Sequence, residues 1–298
     1  MGREILLTLL ILLFGGLVLQ VLALVPRPTL PDPSPRIAER RAWLHLWLPV
    51  LPMLVVGAWL SGWALREPDP VRAPFDHGML IGASIPFALI ALRATLRAAW
   101  VLAKAPPELP VCTAGLWRPR ILFDPYLARA LNEAEVHAAL EHERAHARHR
   151  DPLRIWLAQL ATDLQWPWPW VHRRFEAWLE LLELARDDEA RGHGASGTDL
   201  AAAVVATARH LRPPRRVGSA AWILGSDAAL LGDSRSLQAR IARLLVALPE
   251  DTGPTEDARL SESAALALLA VAIGAALALG AAFGNEILHP FLMWTWTV

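Results

Sequence analysis

The chain has 298 residues, is 54% hydrophobic, and balances 29 basic against 29 acidic side chains for a formal net charge of zero; its mean hydropathy is positive, +0.31. Balanced charge without a Lys/Arg block excludes the electrostatic footprint of a nucleic-acid binder, and the single cysteine, Cys112, excludes an intrachain disulfide and a thiolate metal cluster. Such apolarity beside so many charges is unusual for a soluble protein and points to a polar body carried by membrane segments.

In chain order, Ile5 to Val25 is apolar and uncharged, long enough as a helix to cross a hydrocarbon layer of about 30 Å and longer than the apolar core of a cleaved signal peptide. Pro26, Pro28, Pro31, Pro33 and Pro35 then forbid a continuous helix, and Arg27, Arg36, Arg40 and Arg41 make the same loop basic. Residues 43–65 read as a second span with Trp43, Trp47, Trp59 and Trp63 toward its ends. Residues 78–100 read as a third, in which Arg93 and Arg97 reach for headgroups or face other helices. Ala264 to Phe283 carries no charge and is rich in Ala, Leu and Gly, a fourth span suited to close helix packing. The distribution of arginines places both chain ends outside and the segment between the third and fourth spans in the cytoplasm. The expected organisation is therefore a membrane domain over 1–102 (helices at about 5–25, 43–65 and 78–100), a cytoplasmic domain over 103–263, and a last span with a short extracytoplasmic tail over 264–298.

Within the polar domain, Val111 to Thr113 and Arg120 to Phe123 have the look of short strands joined through Gly115, with Pro125 ending the second. Asn132 with Glu135 three residues on has the form of a capping box, opening a helix that runs to about His149 before Asp151-Pro152. A shorter helix over 153–164 is buried or interfacial, Trp166 to Trp170 makes an aromatic turn, and helical periodicity resumes from Arg173 to Glu189, Asp199 to Leu211 and Ser236 to Leu248.

The chemistry lies in Glu141-His142-Glu143-Arg144-Ala145-His146, an H-E-x-x-H pattern. Positions four apart share one face of a helix, so His142 and His146 can present imidazole nitrogens to one zinc ion. Glu143, beside the first histidine, can reach a water on the ion without ligating it, the geometry of a general base. A later helix offers Glu180, Glu183 and Asp187, and two histidines with one carboxylate and an open position is the donor set of a hydrolytic zinc site. The competing reading makes the same histidines a solvated face of an Arg/Glu-rich helix, with Glu183 paired to Arg186 or Arg191. His149, which would have to reach the ion from an adjacent turn, reads as a surface residue, and Glu141, His137, His172 and His193 as solvated or locally hydrogen-bonded groups.

These residues resemble the BlaR/MecR family of membrane zinc metallopeptidases, the antibiotic-sensor type, and more remotely the HtpX-like membrane peptidases. The resemblance covers roughly Pro110 to Leu248: Gly115-Leu-Trp-Arg-Pro119-Arg-Ile121 is similar to the family's G-x-x-x-P-x-I strand, His142 to Asp151 to its zinc helix and Arg-rich turn, and Glu183-Leu-Ala-Arg186-Asp187 to its E-x-x-C-D helix, with Arg186 in the cysteine's place. The family's Trp-Phe-Asn-Pro turn is only echoed by Trp166 to Trp170. The resemblance implies a mainly α protein with four transmembrane helices and a cytoplasmic zincin-like (gluzincin) α+β domain between the third and fourth. It also implies zinc held by His142, His146 and Glu183, with Glu143 as catalytic base and Asp187 orienting a ligating histidine. Arg120, Ile121, Leu122 and Phe123 are the candidate strand for aligning an extended substrate by edge pairing.

The implied activity is site-specific cleavage of a cytoplasmic protein such as a transcriptional repressor, by a multi-pass enzyme of the cell's inner (cytoplasmic) membrane. The alternatives are membrane-protein quality control, a non-enzymatic signalling scaffold with a structural zinc, and a metal transporter, which the position of the His/Glu set outside the spans disfavours. The sensors' large extracellular penicillin-binding domain has no counterpart in this sequence, so a separate sensor protein is the expected partner, alongside the lipid bilayer and the protein substrate.

Overall fold

The computed structural model describes residues 34–64, 85, 88–100, 110–166, 168–210, 234–247 and 270–282, and these are mainly helical. In chain order the helices are α1 (Pro35–Trp47), α2 (Leu51–Ala64), α3 (88–100), α4 (Pro125–Ala130), α5 (Glu133–His149), α6 (Asp151–Leu164), α7 (Trp170–Gly192), α8 (Gly197–His210), α9 (Ser234–Leu244) and α10 (270–282). Between α3 and α4 lies an antiparallel hairpin of β1 (Val111–Ala114) and β2 (Arg120–Phe123). Its register opposes Val111 to Phe123 and Thr113 to Ile121. Gly115 makes the turn possible: its φ of 99° is left-handed, and a Cβ there would lie 2.9 Å from Arg118 O.

The described residues fall into two compact units, one drawn from residues 47–92 and 254–298, the other from 29–46 and 93–253. In the first, α2 and α10 meet at bare backbone: a Cβ on Gly62 would lie 2.0 Å from Leu277 O, and one on Gly280 would lie 2.0 Å from Trp59 O. Contact this close requires the small residues that the sequence supplies there. Among the described residues no helix is long and apolar enough to cross a membrane. The run from Ile5 to Val25 lies outside the described residues, as do parts of the three other predicted spans. Residues 43–65 are not one uninterrupted helix; a turn at 48–50 divides them, and Pro52 sits in the first turn of α2, where its missing N–H has no helical partner to lose.

The second unit is organised around α5 and α7. The Asn132 side chain accepts from Glu135 N and Glu135 Oε2 accepts from Asn132 N, each at 2.9 Å, so the capping box opens α5 as its sequence predicts. The helix ends at Arg150, a non-glycine residue in the left-handed region (φ 52°, ψ 44°), which reverses the chain so that α6 begins at once with Asp151-Pro152. On α7, Val171, Phe175, Trp178, Leu182 and Ala185 recur at three- and four-residue intervals and are all buried, a stripe that anchors the helix in the core. The C-terminal half of α7 is buried all round, including Glu183, Arg186, Asp187, Asp188 and Glu189. A cluster of Ala138, Ala190, Ala195, Leu200, Ala201 and Leu244, with Ile241 against it, joins α5, α7, α8 and α9. Arg93 and Arg97 of α3 turn to the buried Asp163 of α6, at 3.3 and 2.6 Å.

Candidate metal centre

His142 and His146 sit one turn apart on the inner face of α5, and α7 brings Glu183 against them. The Nε2 atoms of the two histidines are 3.0 Å apart, His142 Nε2 is 3.3 Å from Glu183 Oε2, and His146 Nε2 is 3.6 Å from Glu183 Oε1. Ligands of a tetrahedral ion with bonds of about 2.0–2.1 Å stand roughly 3.3–3.4 Å from one another. The observed triangle therefore matches the edge of a coordination tetrahedron. These three residues are the group among the described residues whose donor atoms converge closely enough to hold a metal.

The solvated-face reading fails on burial: His142 and His146 are each 4% exposed and Glu183 1%. Glu183 pairs with the two histidines and with Arg240 Nη1 at 3.1 Å, a partner that sequence spacing did not suggest. His149 engages Glu189 at 2.7 Å and takes no part in the triangle, while Glu141, buried and not solvated, pairs with Arg144 and Arg148.

Each histidine turns its other nitrogen to a carboxylate. His146 Nδ1 is hydrogen-bonded to Asp151 Oδ2 at 2.9 Å, and His142 Nδ1 stands 2.9 Å from Asp187 Oδ1, close enough for ionic attraction though poorly angled for a hydrogen bond. A proton held at both Nδ1 positions leaves two Nε2 lone pairs facing each other at 3.0 Å, an arrangement that needs a cation or a further proton between them. The donor set thus fits a small divalent ion. Burial works against charge on His142, but the Asp187 and Glu183 carboxylates outweigh it and push its pKa up to about 9 without metal. His146 is raised well above its usual value in the same way, burial being overcome by Glu183 and Asp151. Burial likewise works to raise Glu183, yet His146 and Arg240 hold its carboxyl well below the usual range.

The carboxylates behind the histidines are themselves clamped by arginines. Arg240 of α9 donates through Nε and Nη2 to Asp187 at 2.7 and 2.8 Å, and Arg186 donates through Nε and Nη2 to Asp151 at 2.5 and 2.8 Å. Against the desolvation that raises it, Arg186 and His146 keep Asp151 ionised well below its ordinary pKa. Bidentate guanidinium pairs fix a carboxylate in plane as well as in position. Sequence reasoning assigned Arg186 only a place beside the site and missed Arg240, which lies 98 residues from His142 and belongs to no local pattern. Asp151 stood in the legible motif, but its role depends on the Arg150 reversal.

Glu143 is buried beside His142, and Thr113 Oγ1 of β1 donates to its Oε2 at 2.6 Å while lying 2.9 Å from Glu143 O. A cleft with about 340 Å³ of empty space, counting its open mouth, runs past His142 and Glu143, walled by Val111, Ala139, Leu200, Ala203 and Val204 with Thr207 and Arg240. Residues Arg120, Ile121, Leu122 and Phe123 form β2, which among the described residues pairs with β1 alone, on one of its edges.

Residues 105–192 match the family model described as BlaR1 peptidase M56. No curated protein and no solved structure matches the chain. The matched segment runs through α5 and α7 and so contains both histidines, Glu143, Glu183 and the two carboxylates behind the histidines; over that segment the chain is similar to the BlaR1-type M56 peptidases, which supports a BlaR/MecR-type assignment.

Proposed function

We propose that the protein is a membrane-embedded zinc metalloendopeptidase that cuts a cytoplasmic protein, a transcriptional repressor being the substrate class the family resemblance implies. The observation that carries the reading is the triangle of His142, His146 and Glu183 with Glu143 buried alongside. His142 Nε2, His146 Nε2 and the Glu183 carboxylate would hold the ion. When bound, zinc supplies Lewis-acid chemistry, lowering the pKa of a water toward about 7 and polarising a peptide carbonyl. Glu143 takes the proton of the attacking water and returns it to the departing amine. Thr113 holds the Glu143 carboxylate in one orientation through the 2.6 Å hydrogen bond, so the base is in place before substrate arrives. The apolar cleft beside Glu143 receives a substrate side chain, and the other edge of β2 pairs with extended backbone.

Zinc is favoured among divalent ions by two imidazoles with one carboxylate in a tetrahedral-sized triangle, since magnesium and calcium seek more oxygens. The four-span topology, with the peptidase domain in the cytoplasm and both termini outside, rests on hydropathy and arginine placement. It draws support from Leu89, Leu92, Leu96 and Trp100, which recur at helical spacing along α3 and stand exposed.

Glu143→Gln is the decisive variant. It should keep bound zinc and thermal stability while cutting turnover by about 10²–10⁴-fold. Peptides that accumulate only in cells carrying the wild-type residue would identify the substrate; an unchanged biological output from the variant would return the protein to the class of non-enzymatic scaffolds.

A further inference from the structure

Behind His146 the buried network does not stop at Asp151. Arg154 Nη1 donates to Asp151 Oδ1 at 3.2 Å, and Arg154 Nη2 donates to Glu39 Oε1 at 2.8 Å. Glu39 belongs to α1, 115 residues from Arg154 in sequence, and its same oxygen accepts from Trp178 Nε1 of α7 at 2.7 Å. Trp43, one turn on from Glu39, lies under the Arg154 guanidinium, with the ring centroid 5.6 Å from Arg154 Cζ. Glu39 is 3% exposed and Asp151 0%. Two residues of α1 thus grip the arginine that leans on the carboxylate that orients His146.

Such a chain is a costly thing to bury without a purpose in positioning. Removing one partner from a buried charge network leaves an uncompensated charge, and the neighbours must then reorganise. Here Arg154 is shared by Glu39 and Asp151. Without Glu39, Arg154 loses one of the two carboxylates that share it and is drawn toward Asp151, competing with Arg186 for the carboxylate that holds His146. Carboxylates behind metal-bound histidines typically change metal affinity by 10–100-fold when replaced.

We infer that α1 is a positioning element of the metal centre, with Glu39 acting through Arg154 and Asp151 to set the orientation of the His146 imidazole and so the affinity of the site for zinc. The inference rests on the reading of His142, His146 and Glu183 as the metal ligands. It places control of the site in a helix whose first half, with Glu39, the sequence assigns to the loop between the first two spans and whose end it assigns to the second span, so displacement of α1 would loosen the ion.

The test is zinc affinity of the full-length protein in detergent, by competition with a chromophoric chelator, together with the visible absorption of the cobalt(II)-substituted protein. Glu39→Gln keeps an acceptor oxygen for Trp178 but removes the charge; it should weaken zinc roughly tenfold and alter the cobalt spectrum. Arg154→Lys, which keeps the charge but loses the planar fork whose separate Nη1 and Nη2 reach Asp151 and Glu39, should do the same, and the double variant should be little worse than either alone. Should Glu39→Gln fail to fold, Arg154→Lys decides alone. A folded variant with wild-type zinc affinity and cobalt spectrum, even one that melts earlier, overturns the inference by reducing Glu39 to a structural residue. Wild-type protein that takes up neither metal would instead remove the metal reading itself, and the relay with it.

Discussion

On the proposed metal reading, His142 and His146 would carry protons in the metal-free protein and give them up to zinc. In the metal-free protein the proton on His142, with its pKa raised from 6.5 to about 9, contributes stability that is complete below pH 6.5 and lost as pH rises through 9. Zinc needs the same nitrogen unprotonated, so below pH 9 the ion must displace at least one proton. Zinc affinity should therefore fall by roughly tenfold or more for each pH unit lowered between about pH 8 and 6. Competition titrations at several pH values measure this directly, and a flat profile would contradict the proton inventory of the site. The sign is reversed for Glu189, whose carboxyl is held down to about 2 by His149, Arg186 and Arg148 in spite of burial. Its contribution is present above the ordinary value of 4.5 and is lost as pH falls toward 2.

At the level of elements, the approach of α9 to α8 carries Arg240 to the site. A Cβ on Gly197, the first residue of α8, would lie 2.1 Å from Leu244 O near the end of α9. Gly197→Ala must push α9 away, at a cost of about 1–3 kcal/mol in overpacking. It should lower the melting temperature and loosen the Arg240 clamp on Asp187, and a high-resolution structure of the variant with α9 unmoved would refute that. The hairpin offers a second test. If the other edge of β2 aligns substrate, Phe123→Pro should raise KM for a protein substrate while leaving zinc content and melting temperature close to wild type. Undiminished cleavage would remove β2 from the substrate path. Both elements were legible as elements: Gly115 between two short apolar runs marked the hairpin, and Asn132 with Glu135 marked the start of α5. That Thr113 would hold Glu143 was not legible, because strand register relative to a helix is settled by packing and not by either segment alone.

For the molecule as a whole, the membrane assignment makes a topological prediction. Reporter fusions after Val298 should read as extracytoplasmic and fusions in the segment 248–263 as cytoplasmic, with the full chain resisting alkaline extraction from membranes. The opposite orientation would put the cleft on the wrong side for a cytoplasmic substrate. The glycine contacts between α2 and α10 bring these two helices together backbone to backbone. Hydropathy counts apolar residues without seeing their neighbours, however. Trp43 and Leu46 were therefore joined to a span, whereas they are buried in α1, where Trp43 stacks on Arg154 and Leu46 O accepts from Gln165.

The sequence by itself determined that His142 and His146 share one face of a helix with Glu143 beside them, because a four-residue spacing on one helix is a local geometric fact. The E-x-x-x-D pattern of α7 was legible for the same reason, and the family resemblance singled out Glu183 and Asp187 within it. What only the tertiary structure decided is what surrounds them. Arg240 and Glu39 are far from the motif in sequence, and no local pattern foretells that the charged run from Arg186 to Glu189 is buried among opposite charges. Charge is polar to any local scale, and only the partners that arrive from other elements make its burial favourable.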